Sequence, residues 1–214
     1  MGEGLLGLFD SRKMSRLVSH LDKRRKLYLG VFTIGFVAGY PVAEYIIEWL
    51  LESDGYIPDG VEVIILQPLE VILLQLRIAA QIAIGLMVAI ILIDLFWIGS
   101  RAFPDTAARI SSSSGALRVA TAMATIFVLG VMGLGYAHNV LIPFLLDYLA
   151  RDSAASGLQS TWQLQSWVGF VTGLYFSSVL GFQVPVIAIL LLRTGLVERS
   201  TIVENRGIIW FTAL

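Results

Sequence analysis

The chain has 214 residues, 57% of them hydrophobic and 14% charged, with a net charge of −1 and a mean hydropathy of +0.79. Soluble domains carry roughly 25% charged residues, so a chain this poor in charge cannot coat a water-facing surface in the usual way, whereas lipid as solvent removes the need for that coat. Cysteine is absent, which excludes disulfides, thiolate metal sites and thiol catalysis, and two histidines, His20 and His138, are too few to suggest a metal centre. No cofactor and no nucleic-acid partner is expected.

Residues 1–26 form a basic N-terminal segment, with Arg12, Lys13, Arg16, Lys23, Arg24, Arg25 and Lys26 against Glu3, Asp10 and Asp22. An amphipathic helix lying beside anionic lipid is the plain expectation for it. The apolar run that follows is too long for a signal-peptide core and has no small-residue cleavage site, so the first span is retained.

That first span covers about 27–51. Its Gly35 and Gly39 have the small-xxx-small spacing that permits close helix contact, and Pro41 is tolerated where neighbouring helices re-satisfy the backbone. Residues 52–70 are a loop punctuated by Pro58, Gly60 and Pro68. From Glu44 to Glu70 there are seven acids and no lysine or arginine, against seven bases in the first 26 residues. The positive-inside bias therefore puts the N-terminus in the cytoplasm and this loop outside.

The second span covers about 72–98, and the loop from Gly99 to Arg118, with Arg101, Arg109 and Arg118 against Asp105, reads as cytoplasmic. The third span, about 119–146, has a glycine-rich centre at Gly130, Gly133 and Gly135 and Pro143 near its outer end. The fourth, about 166–192, returns to Arg193, Arg199 and Arg206 on the inside. A fifth apolar segment begins at Gly207 and reaches Leu214. Eight helical residues rise only about 12 Å against a core of roughly 30 Å, so this span is expected to be incomplete. The fold class is all-α, a polytopic transmembrane helical protein.

A charge at the bilayer centre costs on the order of 3 kcal/mol, so polar residues within spans raise a functional question. Glu70 and Arg77 lie two turns apart on one face, too far to pair tightly. Asp94 is near enough to the inner interface to reach headgroups, water or Arg101, and interfacial anchoring is its ordinary role. Gln183 sits mid-span and is followed by Pro185, whose missing N–H frees a carbonyl near residue 181. A cavity and an interhelical hydrogen bond are both open readings for Gln183. No nucleophile set, phosphate-binding loop or ligand cluster is present, so no enzymatic activity is expected.

With these residues in view, the chain resembles the TatC family, the multispan core subunit of the twin-arginine protein translocase, over nearly its whole length. Family members carry a cytoplasmic His-Leu-x-Glu-Leu-Arg-x-Arg-Leu segment before the first span. Here His20, Leu21 and Arg25 fit it, Lys23 replaces the acid and Leu27 the second arginine. The family's Pro-x-Glu, with a basic residue seven positions after the acid, appears as Pro68, Glu70 and Arg77. Pro143 fits a family proline, and the family's Phe-Glu-x-Pro appears as Phe182-Gln183-Val184-Pro185, followed by Gly195 and, eleven residues on, by Arg206.

The resemblance implies a curved wall of six helices with the fourth-span acid facing a cavity. It also implies a scaffold and signal-peptide receptor for export of folded proteins across the cytoplasmic membrane, assembled with single-span Tat subunits in homo- or hetero-oligomers. His20, Leu21, Arg25 and Asp105 are the candidate contacts for signal peptide or partner. Glu70, Arg77, Gln183 and Pro185 are the candidate intramembrane polar positions. Two departures bear on the receptor role. No glutamate lies between Glu70 and Glu198, leaving Asp105 as a weak substitute in a basic loop, and Gln183 cannot ionise. The rival expectation is a small-solute transporter or channel subunit using Glu70, Arg77, Asp94 and Gln183, although no internal repeat supports it.

Overall fold

A computed structural model describes residues 11–53, 56–57, 61–102, 115–155 and 161–193. The elements run α1 (Ser11–Lys23), α2 (Arg25–Glu52), β1 (Glu62–Ile64), α3 (Glu70–Ala102), α4 (Gly115–Tyr136), a π-turn (Ala137–Leu141), α5 (Ile142–Ala155), β2 (Thr161–Gln163) and α6 (Leu164–Arg193). Four apolar stretches are long enough to cross a bilayer, at Arg25–Glu52, Glu70–Phe96, Ala120–Ser153 and Leu164–Leu192. Against the expected spans of about 27–51, 72–98, 119–146 and 166–192, the second is shifted two residues toward the N-terminus and the third runs on to Ser153. Asp105 and the segment from Gly207 lie outside the described residues.

Within the spans, large apolar residues face outward freely: Ile34 and Phe127 are each 72% exposed. In water such a surface would aggregate, whereas in lipid it is the surface that costs nothing. α1 and α2 meet at Arg24, where backbone bonds from Arg24 to His20 and from Leu27 and Tyr28 to Arg24 continue the helical ladder through a one-residue joint. The basic segment is therefore coupled directly to the first span instead of hanging from a linker.

The described residues divide into two compact units. One is built from the described residues within 29–89 and 126–183, the other from those within 11–28, 90–125 and 184–193. In the first unit, close backbone approach does the packing that water would otherwise drive. A Cβ added to Gly35 would lie 3.2 Å from the Ala83 Cα, and one on Gly39 would lie 3.2 Å from the Ala79 Cα and carbonyl oxygen, so α2 rests on α3 along the expected small-residue stripe. Gly133 of α4 is tighter still, with the Ser178 carbonyl 2.9 Å from where its Cβ would sit. The buried core of this unit runs through Ala43, Ile47 and Leu50 of α2, Leu74 and Ile78 of α3, Ile142 and Leu146 of α5, and Trp167, Val168 and Val171 of α6.

The two short strands add to the sequence expectation, which read residues 52–70 as a loop punctuated by Pro58, Gly60 and Pro68. β1 pairs with β2 in parallel, Glu62 with Thr161, Val63 with Trp162 and Ile64 with Gln163. Parallel strands need a long crossover, and α3 through α5 supply it. Strands of three residues separated by almost a hundred leave no periodic signal of their own. Their consequence is positional: β2 runs straight into α6 and β1 lies six residues before α3, so the pairing sets the N-termini of these two helices side by side.

Candidate functional site

Three polar groupings stand out, and each is assembled from residues distant in sequence. The first forms where the paired strands bring helix starts together. The first N–H groups of a helix have no intrahelical partner and carry the positive end of its dipole. The buried Glu70 carboxylate fills that need, accepting from the backbone N–H of Leu66 at 3.0 Å and Gln67 at 3.3 Å through Oε2. Its Oε1 accepts from the N–H of Gln165, in the first turn of α6, at 2.6 Å. A single carboxylate thus ties the segment just before α3 to the first turn of α6. Glu70 accepts from these backbone amides, and among the described residues it has no ion-pair partner.

Arg77, seven residues on, is exposed and lies against Gly169 of α6, where an added Cβ would meet its Nη1 at 2.6 Å. Nearby, Tyr56 Oη lies 2.6 Å from His138 Nδ1 and 2.5 Å from Tyr175 Oη, and the last two are 2.9 Å apart. The Trp167 indole N–H donates to the Tyr56 carbonyl, and Trp49 packs edge-on against the Tyr56 ring. His138 stands in the π-turn, where the Ile142 N–H bonds to the Ala137 carbonyl five residues back. Such an extra residue re-aims the side chains around it. Sequence reading weighed His138 only as one of two histidines too few for a metal centre. Only the approach of four separate segments reveals the triangle.

Gln183 is 4% exposed; its amide N–H donates to the Ile126 carbonyl at 3.1 Å, and its Oε1 has no hydrogen-bond partner among the described residues. The interhelical hydrogen bond is therefore the reading that holds for the amide. Pro185 follows inside α6, as expected, without ending the helix.

The remaining grouping belongs to the other compact unit and corrects the expectation for Asp94. Asp94 is buried, 6% exposed, instead of reaching headgroups as an interfacial anchor. Its Oδ1 accepts from Arg24 Nη1 at 2.7 Å, its Oδ2 accepts from the Tyr28 hydroxyl at 2.7 Å, and His20 Nε2 lies 3.2 Å from Oδ2. Four residues apart on successive helical turns, His20, Arg24 and Tyr28 form one face that converges on this acid. That i, i+4, i+8 spacing was the available signal. Arg25, the better match to the family motif, points elsewhere, its exposed guanidinium 3.4 Å from exposed Asp22. Leu21 is half-buried with no polar role. Of the candidate peptide contacts within the described residues, then, only His20 joins the Asp94 grouping.

Comparison with known proteins settles the lineage. Residues 17–214 match the family described as Sec-independent protein translocase protein (TatC). The chain belongs to the TatC family. A TatC protein of Synechocystis is 28% identical over 200 residues, covering 92% of this chain and 73% of the relative. TatCy of Bacillus subtilis is 27% identical over 202 residues, covering 92% and 75%. A solved structure described as the twin-arginine translocase receptor TatC superposes with a TM-score of 0.66 at 20% identity, covering 92% of this chain and 84% of that one. The resemblance drawn from the motifs is borne out, as is the all-α transmembrane fold. This TatC-family chain is a non-enzymatic, multi-pass membrane component of the translocase that works with other Tat subunits. Membership does not favour the solute-channel reading.

Proposed function

We propose that this TatC-family subunit acts in the cytoplasmic membrane chiefly as a scaffold, with its N-terminus in the cytoplasm and single-span Tat subunits as its partners. The observation that carries the scaffold reading is the occupancy of Asp94. A carboxylate offers about four acceptor positions, and here the chain's own Arg24, Tyr28 and His20 take three. A twin-arginine signal peptide seeking that acid would have to displace Arg24. Lys23, which stands where the family motif has its acid, adds like charge beside any incoming arginine pair.

Leu21, Arg25 and Asp105 remain as contacts for a partner or peptide on the cytoplasmic side, while His20 is committed to Asp94. The orientation rests on seven bases in residues 1–26 and none from Glu44 to Glu70. Homo- or hetero-oligomers follow from a scaffold role.

Crosslinking of a photo-labelled twin-arginine peptide to the membrane-embedded protein tests this. Yields that stay the same when the peptide's arginine pair is changed to lysines are expected. A several-fold loss on that change would assign the chain a receptor role and overturn the scaffold reading.

A further inference from the structure

We propose that Arg77 and Gly169 form a binding site for the phosphate of an anionic phospholipid headgroup. The inference concerns a different part of the chain from the Asp94 cluster and does not depend on the scaffold reading.

The case begins with an unmet electrostatic need. Arg77 lies within a membrane-spanning helix, yet among the described residues it has no ion-pair or hydrogen-bond partner. The nearest acid along α3, Glu70, is two turns away and already accepts from the backbone N–H groups of Leu66, Gln67 and Gln165. An arginine stays charged at any accessible pH, so it cannot escape by deprotonation. Within a bilayer it must find an anion or water.

Position argues for a headgroup. Seven residues of helix place the Arg77 backbone about 10 Å below the start of α3. Helical side chains tilt toward the N-terminal end, which is the end nearest the interface here, so the guanidinium rises toward headgroup level. Around it the exposed face of α3 carries Leu69, Ile72, Leu73 and Leu76, a surface suited to acyl chains.

Gly169 supplies the room. A Cβ there would meet Nη1 at 2.6 Å, Cζ at 3.3 Å and Nε at 3.9 Å, so glycine lets the guanidinium approach α6 Nη1-first without shifting, and its other N–H groups stay free for a two-pronged contact. Phe170, the next residue, lines a cleft of about 360 Å³ with Leu146, Leu149, Trp162 and Ser166. That mostly apolar lining fits the hydrophobic part of a lipid.

Native mass spectrometry of the purified full chain in detergent, titrated with phosphatidylglycerol, reads the site directly. Arg77→Gln is expected to weaken the tightest bound lipid by about tenfold, the ratio equivalent to about 1.4 kcal/mol. Arg77→Lys should recover part of that loss. Gly169→Leu keeps the charge but fills the notch, and should weaken binding in the same direction; it decides the matter if Arg77→Gln does not fold by circular dichroism. Equal phosphatidylglycerol affinity in wild type and both site variants would overturn the proposal. So would displacement of the lipid by inorganic phosphate at matching concentration, which would assign the site to a free anion. Rescue of the wild-type arginine by a partner's carboxylate, seen as lipid binding lost in the assembled complex, would overturn it in favour of a protein contact.

Discussion

Glu70 and Asp94 are both buried carboxylates on α3, and they are satisfied by opposite means. Glu70 takes three backbone N–H groups, which any sequence would present once the two helix starts are adjacent. Asp94 takes side chains, Arg24 and Tyr28 with His20 close by, each of which could be lost to a single substitution. The first is a feature of the fold, the second of this particular sequence. Backbone-bound acids hold helices in place; side-chain-bound acids can be re-wired as function changes.

The largest expected effect tests the fold-bound acid. Glu70→Ala leaves the N–H groups of Leu66, Gln67 and Gln165 without this acceptor, and should lower the apparent melting temperature in detergent by about 6–10 °C. Glu70→Gln, which keeps an acceptor oxygen, should lose clearly less. If both behave like wild type, the cap is not holding α3 and α6.

Asp94→Ala comes next, with an expected cost of about 1–2 kcal/mol. The figure is reduced because the Arg24 side chain is 40% exposed and can turn to water when its acid is gone. Replacing Arg24 by Ala in the same protein should recover part of that loss in a double-mutant cycle. Strict additivity would mean that the two residues do not act as a pair.

Gln183→Glu probes a position with half a partner set. It restores the family's residue at a place where the described neighbours offer the Ile126 carbonyl and no cation. A modest destabilisation of about 1 kcal/mol is expected, whereas Gln183→Leu should fall within about 0.5 kcal/mol of wild type, since it removes an orphaned acceptor along with the bond. A stabilising Gln183→Glu would point to a cation partner for that position. At the small end, Arg25→Ala breaks only the exposed pair with Asp22 and should shift stability by less than about 0.5 kcal/mol.

Much of the helical plan was legible in sequence because lipid imposes a simple rule: a spanning segment must satisfy its backbone internally and show apolar residues outward. The small-residue contact at Gly35 and Gly39 was legible for the same reason, as spacing alone reports which residues share a helix face. Other parts were not. The β1–β2 pair is too short to carry periodicity, so the capping role of Glu70 looked like an open charge. Asp94 looked interfacial because depth was counted along one helix, while its burial comes from α1 and α2 folding over it. Tyr56, His138 and Tyr175 lie on segments with no local relation at all.

The sequence by itself determined the lipid environment, the four spans and the TatC resemblance. Hydrophobic length and motif spacing are properties of contiguous residues, and a chain carries them whether folded or not. Tertiary structure decided what each polar residue does. A buried carboxylate is defined by the donors that reach it: one of the three on Glu70 comes from 95 residues away, and those around Asp94 come from 66 to 74 residues away.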